Sequence, residues 1–120
     1  MKNQDEIQER FLKEEPRMKL GHLASDLARI ASLFGINEEL DTVKTIIQEG
    51  KFFAEWTAPE VELEIQVLLA EIQSFLTQTE LAWDSLWRQP GHRESVARQC
   101  RLWSDELLKK AGFLDHDEGN

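Results

Sequence analysis

The chain has no tyrosine, a single cysteine and three prolines among its 120 residues. With Cys100 alone there is no internal disulfide, and no structural zinc site of the usual kind, which takes four ligands from cysteine and histidine at tight spacing. Three prolines and six glycines leave little turn chemistry for hairpins. No uncharged apolar run approaches the roughly 20 residues that a membrane span needs. Positive charge is also scarce: 14 Lys and Arg stand against 23 Asp and Glu, a net of −9, whereas a nucleic-acid binder neutralises phosphates with clustered cations. The N-terminus lacks the basic-then-apolar pattern of a secretory signal. The expectation is a soluble cytoplasmic protein with no nucleic acid, membrane or metal among its partners.

What is abundant is Leu, Glu, Ala, Gln and Ile, a helix-favouring set, and 41% of the chain is hydrophobic, enough for one core. Ile7, Phe11 and Leu12 mark a short N-terminal helix. Pro16 suits a helix start, and Leu20, Leu23, Leu27, Ile30 and Phe34 recur at spacings of three and four up to a stop at Gly35. Asn37 is a natural N-cap for a second long helix to about Trp56, striped by Leu40, Val43, Ile47, Gly50 and Ala54. Gly50 costs about 1 kcal/mol relative to Ala inside a helix, so it marks a close approach, a kink or simple tolerance.

Thr57-Ala58-Pro59-Glu60 has the capping-box pattern of a new helix start. Residues 61–67 alternate like a strand, yet Val61, Ile65, Leu68, Ile72, Phe75, Thr79, Ala82 and Leu86 step by four and three without a slip. The longer period predicts one helix of about 30 residues, roughly 45 Å long. Its first half is apolar on more than one face, which predicts a central position, with about two turns around Trp83 to Arg88 projecting beyond shorter partners. After Gln89-Pro90-Gly91 a last long helix runs from about His92 to Ala111, striped by Val96, Cys100, Trp103 and Leu107 and stopped by Gly112. The predicted fold is all-α: an up-down antiparallel bundle of four long helices in one domain, residues 1–114, with the short N-terminal helix and a disordered acidic tail over 115–120.

No motif names a reaction. Di-iron bundles need Glu-x-x-His pairs, and the residues three before His22, His92 and His116 are Lys19, Gln89 and Phe113. A phosphotransfer histidine is followed by Lys and Gly at the third and fourth positions, where His22 has Ser25 and Asp26, so His22 reads as an exposed side chain near Asp26. Cys100 lies on an apolar stripe, where a thiol is inert, and neither a Gly-x-Ser-x-Gly elbow nor a Gly-rich phosphate loop occurs. The acidic pairs read as solvated faces and helix-start charges. No catalytic, cofactor-binding or metal-binding residue is assigned.

Two features remain. Trp83 and Trp87 are one helical turn apart, beside Arg88, with Arg93 on the next helix; Trp and Arg are the types most enriched at interface hot spots, although tryptophans filling the bundle's end are the plainer reading. Charge is also uneven: residues 37–84 carry eleven acids and two bases, net −9, whereas residues 85–112 carry six bases and three acids, net +3. The last helix is therefore expected beside the acidic ones. Together these predict a non-catalytic module that binds another protein, or itself as a homodimer, through Trp83, Trp87, Arg88 and Arg93. The alternative is an enzyme or small-ligand carrier with a pocket lined by Trp83, Trp87, Trp103 and Phe53 and an arginine at its mouth. RNA binding by the last helix is a third reading, weakened by the surrounding negative charge.

Overall fold

Each apolar stripe of the long segments becomes a buried helical face in the computed structural model, which describes residues 4–34, 40–86 and 88–113. Among the described residues six helices follow one another: α1 (Gln4–Leu12), α2 (Pro16–Leu33), α3 (Leu40–Thr57), α4 (Leu63–Leu81), α5 (Trp83–Leu86) and α6 (Pro90–Lys110), with a 3-10 turn at Ala58–Glu60. There is no strand among the described residues, and no helix is long and apolar enough to cross a membrane. The stop at Gly35, the cap at Asn37 and the tail over 115–120 lie outside the described residues.

The centre is α2, not the third long helix. Leu20, Leu23, Leu27, Ile30 and Phe34 are all buried, and α2 packs along α6 on one side and α3 on the other. Small residues allow the closest approaches. Ser104 of α6 is buried and donates its hydroxyl to the Ala24 carbonyl of α2 (2.8 Å). A Cβ on Gly50 of α3 would stand 3.3 Å from Leu76 of α4 and 3.6 Å from Leu23 of α2, so Gly50 marks close approach. Antiparallel contacts fix the ends: Arg17, early in α2, donates to the Ala111 carbonyl beyond α6 (2.8 Å) and covers the Phe113 ring. α6 closes with the bond pair of a glycine C-cap, Gly112 N–H to Lys109 O and Phe113 N–H to Leu108 O, around Gly112 at φ 86°. The N-terminal helix docks through Phe11, which is buried and stacked on Phe53 (4.3 Å).

The region after Thr57 departs from expectation in three ways. The capping box does not form: Thr57 keeps helical backbone angles, its buried hydroxyl has no partner, and Gln66 instead donates to the carbonyls of Ala58 and Val61 (3.0 Å each). The turn is held from outside by Lys19, a fully buried side chain of α2 paired with Glu60. The long third helix is not continuous either. α4 ends at Leu81, Ala82 leaves the helical region (φ −96°, ψ 16°), and the single turn α5 buries Leu86 completely and lays Trp83 against Phe34. Burying a Leu contributes about 1.5–3 kcal/mol, more than the ~1 kcal/mol net of a lost backbone hydrogen bond. The projecting end inferred from helix length is thereby folded back. Finally, α4 stands at an edge. It packs along α3, stays largely apart from α6, and the molecule is a slab of 41 × 38 × 21 Å.

Gly50→Val is expected to lower the free energy of unfolding in urea by about 1–3 kcal/mol, because the added branch meets Leu76 and Leu23. Gly91→Ala, where a Cβ meets nothing within 4 Å, is the control and is expected to leave stability unchanged or slightly raised.

Candidate interaction surface

The four residues singled out for partner binding have different environments. Trp83 is half-buried, its ring 6.1 Å from Phe34 and with the Lys44 ammonium 5.9 Å from its centroid. Arg88 is exposed in the turn before α6, Arg93 is half-buried on α6, and Trp87 lies outside the described residues. The aromatic side chains proposed for a shared pocket are dispersed. Phe53 belongs with Phe11 and Trp56, Trp83 with Phe34, and Trp103 with Phe75 in an edge-to-face pair at 5.1 Å. His22 meets Glu14 (2.6 Å) and not Asp26. Cys100 is fully buried, and burial pushes its thiol up to about 12, so no thiolate is present near neutral pH. Among the described residues no group of three or more His, Cys, Asp or Glu is placed to hold a metal ion.

An unpartnered feature lies on α4. Opposite the core stripe runs an uncharged one, apolar except at Ser74 and Thr77: Leu63, Val67, Ala70, Ser74, Thr77 and Leu81, spaced four, three, four, three and four residues apart. That is the a/d spacing of a coiled-coil seam. No charged residue interrupts it, and its ends are open to solvent, Leu63 at 73%, Val67 at 52% and Leu81 at 83% exposure. Beside it, between α4 and α6, an open groove of about 780 Å³ is lined by Val67, Ala70, Phe75, Gln78, Gln99 and Trp103, and Leu102 of α6 is 59% exposed. Lys110 reaches Glu64 across one end (3.6 Å). The double apolar character of this helix is visible in the sequence and predicts a central position; α4 instead has the core on one side and solvent on the other.

A polar feature lies on the other side of the slab. Asp26 of α2 is buried, with Oδ2 lacking a hydrogen-bond partner, Arg29 at 3.6 Å and Glu49 of α3 as neighbour. Burial foremost, then the adjacent Glu49 carboxyl, raise Asp26 from 3.8 to about 8, opposed by Arg29. Asp26 is therefore protonated at neutral pH. This buried acid offers no base exposed to a substrate. Between α2 and α6 a cleft of about 440 Å³ has Ala31, Phe34 and Ala97 in its wall and Arg93, Arg98 and Arg101 around it.

No family model matches the chain, and neither a curated protein nor a solved structure is detectably similar to it.

The sign of the Asp26 effect on stability is fixed. The folded state holds a proton that the unfolded state releases near pH 4, so stability falls as pH rises from about 4 to 8 and levels off above. Asp26→Asn keeps the shape of the protonated form without the titration. At pH 8.5 it is expected to exceed the parent in urea unfolding by about 2 kcal/mol or more, with the difference shrinking toward pH 4, since each pKa unit corresponds to about 1.4 kcal/mol. A difference independent of pH would contradict the assignment.

Proposed function

We propose that this protein is a non-catalytic helical interaction module whose docking face is the outer seam of α4 together with the Phe75–Trp103 groove. The observation that carries the reading is the uncharged seam on α4. Along the 19 residues of that helix the only charges are Glu64, Glu71 and Glu80, none on the seam, in a stretch otherwise crowded with acids. A helix needing only water on its outer face has no requirement for a/d spacing there, whereas a helix that receives another helix does. The accompanying architecture is an up-down bundle left open along its α4–α6 side, in a reducing cytoplasm. Trp83, Arg88 and Arg93 then border the module's end. Half-burial of Trp83 against Phe34 favours the α4 seam over that end as the principal contact.

Ligand binding is supported less well, because the aromatic residues that would build an enclosed pocket sit in three separate clusters. Among the described residues, no tryptophan lines the cleft bearing Arg93, Arg98 and Arg101.

Site-specific photo-crosslinking tests the module. With p-benzoyl-phenylalanine replacing exposed Ser74 on the seam, irradiation in living cells is expected to give an adduct of discrete mass that is lost when Leu81→Glu is added. The same probe replacing Asp105, exposed on α6 away from the seam, is expected to give none. Absence of a Leu81-dependent adduct at Ser74 would remove the reading.

A further inference from the structure

The seam on α4 has an internal symmetry that selects its occupant. About a midpoint at Ile72, Leu63 mirrors Leu81, Val67 mirrors Thr77 and Ala70 mirrors Ser74. Large matches large at the ends, β-branched matches β-branched, and small matches small at the centre. Each mirrored pair joins one a-type and one d-type position, which is how layers form between antiparallel helices. A two-fold axis through the middle of α4 therefore brings every seam residue opposite its mirror residue, as an isologous interface requires. We propose that the occupant of this face is a second copy of the chain, with the two α4 helices antiparallel and closest where Ala70 meets Ser74. This rests on the reading of α4 as the docking face.

Charge on α4 is arranged to permit a like-with-like contact in a chain of net charge −9. Glu64 is held by Lys110 (3.6 Å) and Glu80 by Lys51 (2.7 Å), both within the chain. On the opposite flank from the groove, Gln66 and Gln73 are already tied to backbone carbonyls of Ala58, Val61 and Lys51. Glu71 remains, near the midpoint and on the groove side, where the axis brings it close to its own copy. With no Lys or Arg on α4, two copies of this helix have no opposite charges to exchange along the seam. The attraction is apolar, and the residual electrostatics oppose it.

Size bounds the strength. A seam about 27 Å long and about 10 Å wide covers a few hundred Å² on each copy, below the roughly 800 Å² per partner of a standard interface. Phe75, Trp103 and Leu102 extend it along the groove. A dissociation constant in the micromolar range follows, with pairing that strengthens as salt screens the repulsion.

Sedimentation equilibrium of the full chain from about 1 to 200 µM is the first test. The expected result is a reversible monomer–dimer equilibrium between 14.0 kDa and twice that mass, tightened several-fold by added salt and by Glu71→Gln. Val67→Glu and Leu81→Glu, both at exposed positions, are expected to weaken it at least tenfold with unchanged helicity and melting temperature. Orientation is read by disulfide trapping with oxidised glutathione. Because Cys100 is buried, a mixture of Ala70→Cys and Ser74→Cys chains is expected to give the mixed disulfide in excess over either homodimer; homodimers in excess would overturn the antiparallel register. A chain that stays monomeric to 200 µM at moderate salt overturns self-pairing altogether. If Ser74 then still gives a crosslinked adduct, of mass other than two chains, the module stands and only the occupant is wrong; if it gives none, both fall.

Discussion

Two contacts made by small residues against α2 govern the arrangement of the molecule. On one side the Ser104 hydroxyl of α6 reaches the Ala24 carbonyl, and on the other Gly50 lets α3 and α4 close over Leu23 and Leu76. Helix axes approach closely only where side chains are small, and such contacts leave no room for an intervening helix. With α6 and α3 drawn in on opposite sides of α2, the only place left for α4 is against α3. The slab shape, the edge position of α4 and the open groove toward α6 all follow from that constraint. Neither Ala24 nor Ser104 announces itself in a hydrophobic stripe, although both lie on the inward faces of their helices.

Local periodicity was legible wherever a helix has one buried face. The stripes of α2 and α6 read from spacing are the ones buried, and Gly112 stops α6 by the left-handed conformation that glycine supplies. What periodicity does not encode is which helix neighbours which. A segment apolar on two faces reads equally well as a helix surrounded by its own chain or as a helix with an external contact. The Thr57 box failed for a related reason. Its pattern competes with a tertiary anchor, the buried Lys19–Glu60 pair, that draws the turn toward α2 and leaves Gln66 to satisfy the carbonyls. The sequence gives no local sign of this pair, because Lys19 and Glu60 are 41 positions apart.

The break at Ala82 shows the same override on a smaller scale. An unbroken stripe through Thr79, Ala82 and Leu86 is consistent with a straight helix, and burial confirms that Leu86 belongs to the core. A helix that keeps its direction presents that stripe only as far as its neighbours extend. Beyond Leu81 the available apolar surface is at the end of α2, around Phe34, and the chain turns to meet it. Of the candidate residues at this end, Trp83 packs against Phe34, which uses part of the surface that a partner would need.

The second face of α4 is where local sequence and monomer disagree, and the disagreement is too ordered to be filler. Between residues 37 and 84 acids outnumber bases eleven to two, yet six successive seam positions on α4 hold none. Exposed single hydrophobic residues are ordinary on any protein surface; here Leu63, Val67, Ala70 and Leu81 share with Ser74 and Thr77 one uncharged stripe at a/d spacing, mirrored about Ile72. In a molecule this acidic, long-range repulsion disfavours indiscriminate association, so only a partner that aligns along the whole seam recovers enough apolar contact to overcome it. In the self-pairing proposed for this face, net charge would act as the specificity filter and the seam would set the register.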